Sequence, residues 1–219
     1  VNPKQFNNNN DFKSYPRKTK KDINLLRKLK IDYLYMPSFK DIFGFKTQNK
    51  IYLDKSSKKL CGKFRIGHFE GVLNVINRFL EIIKPKYLFL GKKDYQQLFL
   101  IKKHIKKRKI KSKIIECNTV RDKNGVACSS RNLTLNKNQM KIASNIFYYL
   151  SNLKKKIKNN HKLFNIYKIK KDLINLGANK IEYLENYNIN SFKKIKKPKK
   201  KFNLFFAYYI KKTRLIDNI

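Results

Sequence analysis

Apolar residues recur along the chain at two spacings, and each spacing predicts a kind of element. Between residues 68 and 84 they fall three and four positions apart, which predicts an amphipathic helix. Residues 87–90 form a short continuous apolar run after Pro85, typical of a buried strand, and residues 95–107 return to the helical spacing. Strands that alternate with helices in this way favour a parallel α/β layer.

The same criteria predict further elements on both sides of this stretch. Helices are predicted at 22–30, 139–153 and 166–176, the last ended by Gly177, and strands at 31–36, 51–53, 112–117, 182–185, 204–210 and 214–219. The regular alternation stops after Val120. We therefore predict an α/β chain with a Rossmann-like parallel-sheet domain over residues 1–119 and a small α+β domain over residues 120–219. Open parallel sheets bind ligands beyond the carboxyl ends of their strands, so we expect a nucleotide site in the cleft between the two domains.

The segment after the strand at 87–90 carries polar residues suited to a nucleotide. Gly91 ends the strand and a helix follows, which is where such sheets place phosphates. Lys93 offers charge to a phosphate, Asp94 can accept from ribose hydroxyls, and Gln97 lies one helical turn further on. A lysine in a basic chain is often only surface charge, but these neighbours favour a functional role.

A second polar segment, residues 128–131, follows some thirty positions later. Ser129 and Ser130 supply two hydroxyls and Arg131 supplies a guanidinium fork, which suit phosphate oxygens. Serines also cap turns, and it is the adjacent arginine that favours phosphate contact here. Together the two segments predict ATP chemistry rather than a generic basic protein.

Several short motifs follow one another along the chain. They are VNPKQF at 1–6, DFKSYPR at 11–17, LCG and RIGHFEGV between 60 and 72, TVR at 119–121, SSRN at 129–132 and TRLIDN at 213–218. In these motifs the chain resembles the pantothenate synthetase (pantoate–β-alanine ligase) family over nearly its whole length. Each motif is weak alone, but six in the right order make chance agreement improbable.

The resemblance implies an enzyme that condenses pantoate with β-alanine through a pantoyl adenylate, releasing AMP and pyrophosphate. It implies ATP as cosubstrate together with Mg²⁺, a homodimer, and a cytoplasmic location. The carboxylate nucleophile is already ionised at neutral pH, so the site needs alignment and positive charge rather than a catalytic base for that step.

The resemblance also assigns residues. Lys93 and Arg131 are the candidates for holding phosphates during catalysis. The ATP-binding residues that it implies are Gly91, Lys92, Lys93, Asp94, Val120, Cys128, Ser129, Ser130 and Arg131. Val120 would contact adenine through its backbone. Gln5 and Gln97, with Asn2 as a weaker candidate, would hold pantoate or β-alanine, because an amide both donates and accepts.

One family segment has no counterpart in the sequence. The family carries an MGxLHxGH motif before VNPxQF, whereas the histidines here are His68, His104 and His161. We therefore expect the first strand–helix unit to be missing, and we expect residues 1–219 alone to have low stability and negligible activity. No metal cluster is visible in the sequence.

The composition raises a competing hypothesis. Lysine and arginine outnumber the acids 54 to 14, for a formal net charge of +40, which favours attraction to polyanions. A nucleic-acid-binding module on a decayed ligase fold is therefore one alternative, and another adenylate-forming ligase is a second. The lysines lie on every segment and accompany many Asn, Ile, Phe and Tyr, so an A/T-rich genome explains them better than a specific nucleic-acid surface.

Two further features bear on location. No apolar run approaches the roughly 20 residues that span a bilayer. The three cysteines show no CxxC spacing and cannot all pair, which favours a reduced, cytoplasmic setting.

Overall fold

The structure is a computed structural model that describes residues 6, 12–13, 15–160, 164–195 and 201–219. Its main helices are α1 (Thr19–Lys28), α2 (Phe39–Phe43), α3 (Cys61–Phe64), α4 (His68–Ile83), α5 (Tyr95–Lys107), α6 (Lys137–Asn159) and α7 (Ile166–Asn175). Its strands are β1 (Tyr87–Gly91), β2 (Lys113–Cys117), β3 (Lys180–Asn188), β4 (Phe202–Ile210) and β5 (Thr213–Asn218). Short 3-10 helices cover Lys55–Lys58, Lys92–Asp94 and Ser130–Thr134.

The first part of the chain forms a parallel unit. β1 and β2 pair in parallel, with Leu90 opposite Glu116, and α5 is the crossover between them. Apolar residues on α4 and α5, such as Leu73 and Ile101, are fully buried against one face of this sheet. Because neighbouring strand residues point to opposite faces, Phe89 lies on the other face, where it is 66 % exposed.

The second part of the chain forms an antiparallel unit. Its sheet has the order β3-β4-β5, with both pairs antiparallel. α6 and α7 cover one face through a core that includes Ile146, Leu173, Leu184 and Phe206.

β4 is buried on both faces, and its second face joins the two units. Phe205 and Ala207 pack there in a cluster with Phe99 of α5 and with Phe192. The rings of Phe99 and Phe192 stack with centroids 4.8 Å apart. The antiparallel sheet therefore shares a core with the helix that follows the candidate phosphate segment.

Most of the elements predicted from the pattern are confirmed. The predicted helix at 95–107 has the bounds of α5, and the predicted strands at 87–90 and 112–117 are β1 and β2 to within one residue. Gly177 ends α7 in the left-handed region at φ 106°, as expected of a C-terminal stop. The predicted α/β class is confirmed: a parallel sheet is followed by an α+β unit, whose sheet is antiparallel.

Two predicted strands were wrong. Residues 31–36 and 51–53 form no strand in the structure. A strand needs a partner, and Leu34 and Met36 are exposed. At 51–53 side chains take the place of a ladder: the backbone N–H of Tyr52 donates to Nδ1 of His104, and Arg108 donates to the carbonyl of Ile51.

Across the described ranges, no helix is long and apolar enough to cross a membrane. The division between residues 119 and 120 stays a prediction, with the parallel sheet on one side of it and the antiparallel sheet on the other.

Candidate active site

A cavity of about 380 Å³ lies where the segment after β1 meets β5 and the segment before α6. This is within the size range of sites for small ligands and cofactors. The described residues that line it are Phe6, Tyr15, Leu60, Cys61, Arg65, His68, Phe69, Lys93, Asp94, Tyr95, Gln96, Gln97, Cys128, Ser129, Ser130, Arg131, Tyr183, Phe205, Ile216, Asp217 and Asn218. The cavity thus collects residues from both units and from several of the sequence motifs.

The segment after β1 supplies a cation and an amide to the cavity. Lys93 lies in the short 3-10 helix between β1 and α5, with Nζ 3.4 Å from Oδ1 of Asp94. Gln97 lies in the first turn of α5, half-buried at the cavity, and its amide has no hydrogen-bond partner within the described residues. Its donors and acceptor are therefore available to a ligand.

The neighbouring Gln96 has a different role. Its Nε2 donates to the carbonyls of Ser56 and Lys59, at 3.0 and 2.7 Å, and its Oε1 accepts from the backbone N–H of Cys61. The side chain is buried, so these bonds anchor the start of α3 against α5. Gln96 is therefore a structural residue, and Gln97 is left as the candidate of the pair for ligand contact.

The second predicted segment forms another wall of the cavity. The hydroxyl of Ser129 accepts from the backbone N–H of Arg131, which caps the 3-10 helix that follows. Ser130 donates to the hydroxyl of Tyr15 at 2.8 Å, and the guanidinium of Arg131 lies 5.7 Å from the centroid of the Tyr15 ring. Ser129 therefore does cap the turn, but its own hydroxyl hydrogen stays available for a phosphate.

Not every residue that the resemblance assigns to the ATP or pantoate sites lines the cavity. Lys93, Asp94, Gln97 and residues 128–131 do. Gly91 and Lys92 lie just outside, where Nζ of Lys92 donates to Oδ1 of Asn118 at 3.0 Å. Val120 is 71 % exposed beyond β2 and does not line it either. Asn2 and Gln5 lie outside the described residues.

Tyr183 and Cys61 also line the cavity, and Arg214 and Glu182 adjoin them without lining it. The hydroxyl of Tyr183 and the thiol of Cys61 are 3.0 Å apart, and Arg214 reaches the same sulfur at 3.6 Å. Arg214 on β5 also pairs through two nitrogens with the carboxylate of Glu182 on β3, across the intervening β4. Burial opposes the charge on Arg214, but the hydrogen bonds to Glu182 raise its pKa, so it stays charged. Burial raises the pKa of Tyr183, which stays neutral.

A further ion pair closes the cavity near Lys93. Arg121 donates through two nitrogens to the carboxylate of Asp217, at 2.6 and 3.2 Å. Burial raises the pKa of Asp217, and Arg121 and Lys93 oppose that rise. The guanidinium also stacks on Phe147, 4.3 Å from the ring centroid. The pair fixes the end of β5 to the segment after β2.

Arg65 and His68 line the cavity together. Nη1 of Arg65 lies 3.1 Å from Nε2 of His68. Because arginine can only donate, Nε2 must accept, so the neutral ring carries its hydrogen on Nδ1. The spacing RxGH in the sequence was the available signal for this pair, since it brings the two side chains together at the start of α4.

The donor set fits Mg²⁺ only as part of a nucleotide complex. Among the residues that the structure describes, no three His, Cys, Asp or Glu side chains gather as a metal site. Mg²⁺ is commonly held by substrate phosphates, water and one or two carboxylates, so no protein cage is needed. Asp94 and Asp217 are the two carboxylates that line the cavity, and Asp217 is already paired with Arg121.

No pattern in the sequence marked Glu182 or Tyr183. Their partners lie far away along the chain, and such pairings follow from how the strands and the two units pack. Asp217 and Asn218, which line the cavity, and Arg214, which contacts Cys61 beside it, fall inside the TRLIDN motif, so the motif contributes to the cavity as well as to the strand.

Comparisons with known proteins agree with this geometry. The profile of the family described as pantoate-beta-alanine ligase matches residues 1–219. A pantothenate synthetase from Caldicellulosiruptor saccharolyticus is 35% identical, with 100% of this chain and 79% of the relative covered. One from Francisella tularensis subsp. novicida is 38% identical, with 100% and 76% covered.

Solved structures give the same result. The pantoate-beta-alanine ligase of Francisella tularensis, complexed with beta-gamma ATP and beta-alanine, superposes with a TM-score of 0.81 at 37% identity, covering 100% of this chain and 76% of that one. Pantothenate synthetase from Thermus thermophilus shares the fold, with a TM-score of 0.84 at 24% identity and 100% and 80% covered. With a family match along the whole chain and relatives above one-third identity, the chain belongs to the pantoate–β-alanine ligase family of enzymes.

Proposed function

We propose that this protein uses ATP to condense pantoate with β-alanine, through a pantoyl adenylate. The observation that carries the proposal is the convergence of two segments on one cavity. Lys93 and Gln97 come from the segment after β1, and Ser130 and Arg131 come from the segment before α6. Two cations thus lie beside an unpartnered amide, which suits a triphosphate next to a hydroxy acid.

In the first step a carboxylate oxygen of pantoate attacks the α-phosphorus of ATP. A bond forms between that oxygen and phosphorus, the bond from phosphorus to the bridging oxygen breaks, and pyrophosphate leaves. Negative charge builds on the phosphates, and Lys93 and Arg131 would stabilise it. At about 4 Å and an effective dielectric constant near 20, each such charge pair contributes about 4 kcal/mol before desolvation.

In the second step the amine of β-alanine attacks the carbonyl carbon of the adenylate. The new bond is the amide, AMP leaves with the electron pair of the broken carbon–oxygen bond of the acyl phosphate, and the amine gives up a proton to the solvent. The site contributes alignment of the two reactants and charge stabilisation, both of which speed such acyl transfers.

The remaining residues take roles that their surroundings support. Gln97 would bind the hydroxyls and carboxylate of pantoate, with Gln5 and Asn2 as its predicted partners. Ser129 would donate to a phosphate oxygen, and Ser130 would do the same once its hydroxyl hydrogen turns away from Tyr15, whose own O–H can then donate to it. Asp94, the carboxylate of the cavity not paired with Arg121, would accept from ribose hydroxyls or help to hold Mg²⁺.

Bound Mg²⁺ would neutralise phosphate charge. Gly91, Lys92 and Val120 stay predicted ATP contacts, to the extent that a bound nucleotide extends beyond the cavity. The homodimer and the cytoplasmic location also stay predictions, and sedimentation of the purified protein tests the first.

The Gln97 amide tests the proposal most directly. Gln97→Ala in the full-length protein should weaken pantoate binding roughly tenfold to a hundredfold, because a polar group of the ligand loses its partner in a buried site. Binding of a non-hydrolysable ATP analogue should stay within twofold of the wild type. Calorimetric titration with each ligand measures both affinities.

Gln48→Ala is the matched control, because Gln48 is an exposed glutamine that does not line the cavity. It should leave both affinities unchanged. Equal losses of pantoate and ATP affinity in Gln97→Ala would contradict the assignment, as would a wild-type protein that binds neither ligand.

A further inference from the structure

The side chain of Asn218 ties the antiparallel sheet to the segment that carries Lys93. Its Nδ2 donates to the carbonyl oxygens of both Lys92 and Lys93, at 2.9 Å each. Asn218 lies at the end of β5, and the two carbonyls belong to the 3-10 helix between β1 and α5. A primary amide has two donor hydrogens, so these two bonds use its full donor capacity.

The orientation of this amide is set by a second asparagine. Nδ2 of Asn203 donates to Oδ1 of Asn218 at 2.9 Å. A flipped amide would place its nitrogen against that donor and its oxygen against two carbonyl oxygens. The three bonds therefore agree on a single arrangement, with the nitrogen towards Lys92 and Lys93.

The backbone around Asn218 is held as firmly as its side chain. Its N–H donates to Oδ1 of Asp217 at 2.8 Å, and its carbonyl accepts from Arg121 at 3.4 Å. Arg121 in turn binds the carboxylate of Asp217. Asn218 is also 6 % exposed, so water does not compete for these bonds. Asn218 is therefore held in place by the antiparallel unit, and the loop that carries Lys93 takes its position from Asn218.

We infer that Asn218 is a positioning residue for the ligase reaction, fixing the Lys93 loop so that the ammonium group meets the ATP phosphates. The inference rests on the proposed function, because it assigns Lys93 to ATP. It goes further by placing the control of the phosphate loop on a strand of the other unit. Gln97 lies in the first turn of α5. The hydrogen bonds of that helix and those of the neighbouring Gln96 side chain hold this turn in place. The position of Gln97 therefore depends less on Asn218 than that of Lys93 does.

The test compares two buried asparagines of the same sheet. Asn218→Ala removes both bonds to the loop, and we expect it to weaken binding of a non-hydrolysable ATP analogue about tenfold or more. Pantoate affinity should change by less than twofold to threefold. Asn186→Ala is the control: Asn186 is equally buried in β3, but its amide has no hydrogen-bond partner in the described structure, and it does not line the cavity. It should leave both affinities unchanged.

A second variant gives a readout that a purely structural role would not produce. In Asn218→Asp an ionised carboxylate faces two carbonyl oxygens and repels the loop. When the introduced carboxyl is protonated it regains one donor. The affinity for the ATP analogue in this variant should therefore recover several-fold as the pH is lowered from 8 to 6, relative to the wild type measured at each pH.

Two outcomes would overturn the inference. One is an ATP-analogue affinity in Asn218→Ala within twofold of the wild type. The other is an equal loss in Asn186→Ala, which would show a general effect of disturbing the sheet. A wild-type protein that fails to bind the analogue would instead overturn the proposed function, and this inference with it.

Discussion

The two sheets of the molecule differ in how much of each is covered. In the parallel unit Phe89 of β1 is 66 % exposed, whereas Phe206 of β4 in the antiparallel unit is 1 % exposed. The candidate phosphate residue Lys93 follows the less covered sheet, and its anchor Asn218 comes from the more covered one. The loop with the proposed chemistry and the scaffold that fixes it therefore belong to different units. Functional loops held by a rigid scaffold are common, but here the scaffold is not the sheet from which the loop arises.

Truncating the two phenylalanines should show the largest difference in stability effect between the two units. Phe206→Ala leaves a cavity in a closed core and should lower the free energy of unfolding by about 3–5 kcal/mol. Phe89→Ala removes a largely exposed ring and should cost less than about 1 kcal/mol. Urea denaturation of both variants measures the difference. Equal losses would mean that the exposed face of the parallel sheet is covered in solution.

Substitution of two buried asparagines tests the same contrast between the units, and the expected changes in stability are of intermediate size. In the parallel unit Asn77 donates to the carbonyl of Asn49 and to Glu81, and accepts from His104, whereas the side-chain amide of Asn186 in the antiparallel unit has no hydrogen-bond partner within the described residues. Asn77→Leu should lower the free energy of unfolding by about 2–3 kcal/mol, because it leaves buried hydrogen-bonding groups without a partner. Asn186→Leu should raise the free energy of unfolding by about 1 kcal/mol, because a buried side-chain amide without a hydrogen-bond partner in the described residues is replaced by an apolar group. Thermal unfolding checks both, and a destabilised Asn186→Leu would indicate that its amide has a partner in solution.

The smallest effect expected is a pH dependence that comes from the parallel unit. His104 is fully buried, its Nδ1 accepts from Tyr52 and its Nε2 donates to Asn77. Burial and the nearby charge of Arg108 lower the pKa of His104. The unfolded chain therefore takes up a proton first as the pH falls, so stability is full above about pH 6.5 and declines below it, by up to about 1.4 kcal/mol per pH unit.

Urea denaturation between pH 7.5 and 5.5 measures this slope. His104→Gln, which cannot titrate, is the control and should lose most of it. A slope unchanged by the substitution would assign the pH dependence to another group.

The sequence predicted the elements well where local pattern decides them. The spacing of apolar residues alone predicted the helix at 95–107. The expectation that Lys93 and Arg131 would lie at one site followed from where parallel sheets bind ligands. The strand predicted at 31–36 failed because strand formation depends on a partner, and apolar residues alone do not provide one. The TRLIDN motif contains Asn218, but the sequence did not reveal its role or that of Glu182, because both roles come from contacts between distant residues that no local pattern records.

Asn218 and Lys92 are 126 positions apart in the chain, and this separation has a consequence for assembly. A contact between such distant residues closes a long loop, and long loops close late in folding. β5 is the last strand to leave the ribosome among those described, so the Lys93 segment is made long before its anchor exists. The proposed nucleotide site is therefore completed late in folding, and a chain stalled before β5 would have both sheets begun but would lack the anchor of its proposed phosphate loop.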